Sequence, residues 1–170
     1  MRLEWFLIGF LVALVVLAAG GYLFVRGGGI PMGTAAKPLP LERTVANMAL
    51  RASYGNSADQ KNPLPVNDTN MLAAVHIYKE NCAVCHGLPG QPPTAIVKGM
   101  FPDPPQLFEK DQLVTDDPEG VTYWMVTNGI RLSGMPGFGK TLPDTDRWQV
   151  TMLLAQADKL SPAVTAALKQ

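Results

Sequence analysis

Asn81-Cys82-Ala83-Val84-Cys85-His86-Gly87 holds both cysteines of this 170-residue chain and one of its two histidines. The order is C-x-x-C-H. Two thiols one helical turn apart can each add to a vinyl group along one edge of a porphyrin, and the imidazole that follows reaches the iron. This is the spacing for covalent c-type haem attachment. Cys82 and Cys85 are therefore expected to be the two thioether positions of one haem c, with His86 as an axial iron ligand. Two other chemistries use a C-x-x-C pair. A thiol redox pair sits near a βαβ pattern, which the sequence lacks, and a zinc site needs a fourth ligand from a chain with no other cysteine.

Upstream, Trp5 to Val25 is an uncharged run of 21 residues rich in Leu, Val, Ala and Phe, flanked by Arg2, Glu4 and Arg26. As a helix it would measure about 31 Å, the thickness of a bilayer's hydrocarbon core. A cleaved signal peptide also opens on a short charged stretch and an apolar run, but this run exceeds the usual h-region and no A-x-A site follows it. Residues 1–26 are read as a retained transmembrane anchor. Arg2 and Arg26 nearly balance across the run, so charge does not orient it. Covalent haem attachment in bacteria takes place outside the cytoplasmic membrane. That sets the orientation: single-pass in the inner membrane, N-terminus in the cytoplasm and haem domain on the periplasmic face.

Residues 27–67 read as a linker. GGGIPMGTAAKPLP (27–40) has four glycines and three prolines and no periodicity. Leu41 to Arg51 places Leu41, Val45, Met48 and Ala49 at helical spacing, a short helix that needs something to pack on. Such a segment can be spacer or can lie along a partner subunit. Residues 53–68 are again polar and Pro-rich.

The haem domain, 68–170, reads as all-α. Asp68 and Thr69 are good N-cap residues for a helix with Leu72, Val75 and Tyr78 or Ile77 on one face, leading straight into the cysteine turn. Gly87 to Leu113 contains six prolines and is assigned no long helix. Asp117-Pro118-Glu119 should start a helix with Pro at its first position, ending at Asn128 with Gly129 as stop signal. Asp144 opens a helix to about Ala157 with Trp148, Met152 and Ala155 or Leu153 as its apolar stripe, and Ser161-Pro162 caps a last one reaching Leu168.

An iron bound by His86 needs a sixth ligand, and the choice separates an electron carrier from a gas-binding haem. Of eight methionines, Met1, Met32 and Met48 lie outside the domain, Met71 opens a helix, and Met125 and Met152 belong to packing faces. Met135 occupies the Gly/Pro-rich loop Ser133-Gly134-Met135-Pro136-Gly137-Phe138-Gly139, able to hold extended backbone against a haem face. It is the expected distal ligand, with Met100 a packing residue on the His86 side. His76 reads as a partly exposed histidine rather than a second imidazole ligand. The other ring nitrogen of His86 should donate to a backbone carbonyl, with Pro92 or Pro93 in view.

Net charge is zero. It divides into six basic and three acidic groups in residues 1–67 against eight basic and eleven acidic in 68–170. A mildly acidic haem domain is a poor partner for nucleic acid.

Cys82-Ala83-Val84-Cys85-His86-Gly87, Phe101-Pro102-Asp103-Pro104-Pro105, Asp117-Pro118-Glu119 through Asn128-Gly129-Ile130, and Gly134-Met135-Pro136-Gly137-Phe138 together resemble the class I c-type cytochromes. The likeness is to the membrane-anchored monohaem kind found as haem-bearing accessory subunits of bacterial respiratory complexes. The resemblance implies a cytochrome c fold in which the helices carrying Tyr78 and Trp148 cross closely; Ala74 stands where many members have Gly. With both axial positions filled there is no small-molecule substrate site at iron. The expected function is one-electron transfer in a respiratory or dehydrogenase complex, as a non-catalytic subunit whose partners are the lipid bilayer and redox proteins. A free-standing tethered shuttle and a gas-binding haem protein are the alternatives.

Overall fold

The computed structural model describes residues 2–112 and 114–170; Met1 and Leu113, the latter closing the Pro-rich stretch, lie outside the described residues. The chain divides into two compact units, residues 1–43 and 44–170. In the first, the apolar run and its charged flanks form one continuous helix, α1 (Arg2–Arg26), with every described side chain exposed. Leu, Ala and Val without an internal proline leave the backbone bonding unbroken. The Gly/Pro-rich residues after Arg26 hold no regular element until α2 (Glu42–Tyr54).

The second unit is helical throughout, and no strand occurs among the described residues. α3 (Asp68–Asn81) is capped by Asn67, whose Oδ1 accepts from the Asn70 N–H at 2.9 Å, one residue before the expected cap. Its buried face is Met71, Ala74, Val75 and Tyr78, the i, i+3, i+4, i+7 stripe, with Ile77 beside it. Leu72, expected inward, faces solvent, and Met71 takes its place in the core. One further turn, α4 (Ala83–His86), carries the cysteines.

Among its described residues the Pro-rich stretch holds a single 3-10 turn, Val97–Gly99, because each proline removes a donor that a helix would use. α5 (Glu119–Asn128) has Pro118 as its cap, with extended ψ, rather than as its first helical residue, and it ends at Gly129 in the left-handed region, φ 69°. α6 (Asp144–Ala155) is buried without interruption from Trp148 to Leu154, broader than a one-sided stripe, because α3 packs on one flank and α5 on the other. α7 (Pro162–Lys169) is capped by Ser161, whose Oγ accepts from the Val164 N–H. α7 lies on α3, where Lys79 Nζ donates to the Ala167 carbonyl.

Ala74 is fully buried on the face of α3 that meets α6. Tyr78, Leu107, Val126, Val150, Met152, Leu153, Val164 and Leu168 complete the core.

Residues 54–62, read as part of a linker, are seated on α5 and α6. The Asn62 side-chain amide donates to the Trp148 carbonyl at 2.9 Å. The Asn62 N–H reaches the Glu119 carboxylate. Tyr54 meets Trp124 edge-on, and a Cβ on Gly120 would collide with the Ser57 carbonyl oxygen. Gly120 on the first turn of α5 is what lets the strap pass.

Candidate functional site

Cys82 terminates α3, and the chain turns at once into α4, with the His86 N–H bonded to the Cys82 carbonyl at 2.9 Å. That places Cys82, Cys85 and His86 on one turn, both sulfurs free thiols. Burial, and secondarily the charge of Cys85, pushes the Cys82 thiol up to about 12. A catalytic C-x-x-C runs on a depressed thiol pKa; this site does the reverse.

His86 Nδ1 lies 2.8 Å from the Pro105 carbonyl oxygen. The correction to the sequence reading is one of position: a backbone carbonyl accepts, but it belongs to Pro105, not to Pro92 or Pro93. Because that oxygen only accepts, Nδ1 must carry the hydrogen, and Nε2 is left with its lone pair. Burial lowers the His86 pKa, with the Pro105 hydrogen bond opposing it. The neutral ring is therefore the form present at pH 7, and it is the form that binds a metal.

The Pro105 loop is held by Gln106. Its Nε2 donates to the Cys85 carbonyl at 3.2 Å, and its N–H to Gln112 Oε1 at 2.7 Å. Gly87, φ 71°, stops α4 and leaves room for the Gln106 amide, which a Cβ there would strike. Buried Tyr78 donates to the Gly87 carbonyl at 2.9 Å and meets Phe108 edge-on, so the core braces the turn from beneath.

Met135 sits, partly buried, in a loop closed on the end of α5. Phe138 N–H bonds to the Val126 carbonyl and Gly139 N–H to that of Thr127, both at 2.9 Å; Ile130 N–H bonds to the carbonyl of Met135 itself. Gly129 and Gly137 pass so close that a Cβ on Gly129 would stand 2.5 Å from the Gly137 nitrogen and 2.7 Å from the Met135 oxygen. Met100 is not confined to the His86 side as expected: its side chain ends against Gly134, beside Met135. His76 is exposed on α3, 3.2 Å from Glu80, and does not face the turn.

These residues fit a haem. The two cysteines form no disulfide, a histidine nitrogen is free, and apolar Val84, Ile96, Phe101 and Leu132 are exposed on the very segments that carry the site. Among the described residues no group of three or more His, Cys, Asp or Glu offers a rival metal site.

The family model described as cytochrome c oxidase, cbb3-type, subunit III matches residues 69–152, from the start of α3 to α6. Residues 69–152 are a cytochrome c domain. Its cofactor is haem c and its business is electron transfer. No curated protein matches the chain. Among solved structures, a chain of the reducing HAO-like protein complex of Kuenenia stuttgartiensis is similar at 20% identity, over 75% of this chain and 68% of that one, with a TM-score of 0.46. That overlap is too loose to bear on function.

Pro105, Gln106 and the Tyr78 hydroxyl escaped the sequence reading. Pro104 and Pro105 lack N–H groups, so their stretch presents acceptors only. That is a usable signal, but Pro92-Pro93 carries it equally, and only the path of the loop decides between them.

Proposed function

We propose that this cytochrome is a membrane-anchored one-electron carrier. Its haem is joined to Cys82 and Cys85 and its iron held between His86 and Met135. The observation that carries the reading is the His86–Pro105 hydrogen bond. It fixes the tautomer, orients the ring and leaves Nε2 as a ligand, while the backbone-pinned loop presents a thioether as the second one.

Bound haem c supplies a one-electron Fe(III)/Fe(II) couple, and a His/Met pair sets it at a comparatively high potential. The chain's own part is to hold two ligands of fixed geometry so that little moves when charge changes. It also keeps the sixth position closed to exogenous ligands. Cys82, Cys85, His86 and Met135 would hold the haem, which would supply outer-sphere electron transfer.

α1 is long and apolar enough to cross a bilayer, and a signal sequence passes the same test. We read it as a retained anchor in the inner membrane, with the haem domain on the periplasmic side. Tethering raises the effective concentration of the carrier at a partner in the same membrane. A role as a non-catalytic subunit of a respiratory or dehydrogenase complex follows from that confinement and from a net charge too small for long-range steering.

Redox titration of the haem-loaded protein should follow a single one-electron curve, and the reduced protein should not bind carbon monoxide. Ready carbon monoxide binding would turn the reading toward a gas-binding haem. Purification in mild detergent should bring down a larger assembly in which intact mass still includes residues 1–26. A lone monomer would favour the tethered shuttle, and a start after residue 26 would show a cleaved leader.

A further inference from the structure

We infer that Met100 is a positioning residue for the axial thioether: a latch that ties the cysteine turn to the loop holding Met135. The inference rests on the reading of Met135 as an iron ligand.

One end of the latch is fixed to the turn. Thr94 Oγ donates to the Val84 carbonyl at 3.0 Å and accepts from the Val97 N–H. Val97 is buried, the Val97–Gly99 turn packs on α4, and the Met100 N–H closes on the Val97 carbonyl at 3.0 Å.

The other end is the Met100 side chain. Its methyl occupies the place a Cβ on Gly134 would take, with the sulfur 3.6 Å from that position. Outside Gly134 and its chain neighbours, no other described heavy atom comes within 4 Å of it. The loop's other ties lie within it or at its base: backbone bonds to Val126, Thr127 and Ile130, the Ser133 hydroxyl on the Ile130 carbonyl and the Met135 N–H, and Phe138 on the core. Met100 is the side chain that reaches the tip from the segment packed on the cysteine turn. A thioether suits the task, being unbranched and able to fill an irregular gap. A glycine at 134 is what admits it.

Opening this loop is the step by which a foreign ligand gains the sixth position, so the latch should be visible in the rate of cyanide binding to the oxidised, haem-loaded full chain. Met100→Ala should speed binding about tenfold, and Met100→Leu, close in volume, should stay within about twofold of wild type. Gly134→Ala should speed it like Met100→Ala, by evicting the methyl. The double variant Met100→Ala/Gly134→Ala should be no faster than Met100→Ala alone, because the side chain that the new methyl would evict is already gone.

An unchanged rate in Met100→Ala, or additive effects in the double variant, would overturn the latch. Loss in Met100→Leu of the weak far-red band that marks a thioether on ferric haem would also overturn it, by making Met100 itself the ligand. If wild type lacks that band, the Met135 reading falls and the latch with it. If the band is present and the rate unmoved, only the latch falls.

Discussion

The imidazole of His86 and the carbonyl of Pro105 lie 2.8 Å apart, joining the end of α4 to a loop that has no helix of its own. Proline supplies the acceptor without a competing N–H, and the ring keeps one tautomer. Everything assigned to His86 depends on that loop staying in place, and Gln106 ties it to the cysteine turn.

Replacing Gln106 with Ala removes the bond to the Cys85 carbonyl and leaves the Pro105 loop held by Leu107 in the core, Phe108 against Tyr78 and its backbone bonds. The haem-loaded variant should lose about 1 kcal/mol in urea unfolding, with the midpoint lowered and the slope unchanged. An unshifted midpoint would mean that the Pro105 carbonyl is positioned by something else.

Tyr78 is fully buried, and burial first, then the neighbouring Cys82 sulfur, raises its pKa well above the ordinary tyrosine range. A group held above its unfolded pKa contributes stability that is complete below the unfolded value, about pH 10, and is lost as pH rises through it. The alkylated sulfur of the haem-loaded protein carries no charge, so burial alone remains as the cause. Wild type should therefore lose stability above about pH 10. Tyr78→Phe should cost about 1 kcal/mol at neutral pH and show a flatter alkaline decline. Parallel pH curves would contradict this.

At Gly129 both the positive φ and the contacts at 2.5–2.7 Å with Gly137, Met135 and Pro136 oppose any side chain. Gly129→Ala should destabilise the fold by about 2–3 kcal/mol and reduce the far-red band in proportion. A stable variant with the full band would show that the loop tolerates a different path.

Asn62 joins the strap of residues 54–62 to α6. Asn62→Ala should cost about 1 kcal/mol of unfolding free energy and raise hydrogen exchange in residues 54–62 without altering the haem spectrum. A spectral change would mean that the strap reaches the site.

The sequence disclosed the parts of this domain that rest on local rules. The C-x-x-C-H spacing, the Gly129 stop, the Ser161-Pro162 start and the absence of strands among the described residues each follow from neighbouring residues alone. The misreadings share a different cause. Leu72 and Met71 exchanged roles because both fit an apolar periodicity, and only the position of α6 decides which faces it. Pro118 serves as the cap because the preceding turn delivers it with extended ψ. In sequence the strap stays open between a spacer and a segment lying along a partner subunit, because Asn62, Ser57 and Gly120 make their contacts across a sequence gap no pattern records. Met100 escaped for the same reason: its partner is a glycine, which offers no side chain to suggest a contact.

The most direct test of the central claim is the absorption spectrum of the oxidised, haem-loaded protein, wild type beside Met135→Ala. The weak far-red band of thioether-ligated ferric haem should be present in wild type and absent from Met135→Ala, which should also bind carbon monoxide when reduced. A band that persists in Met135→Ala, or is missing from wild type, would contradict an iron held between His86 and Met135.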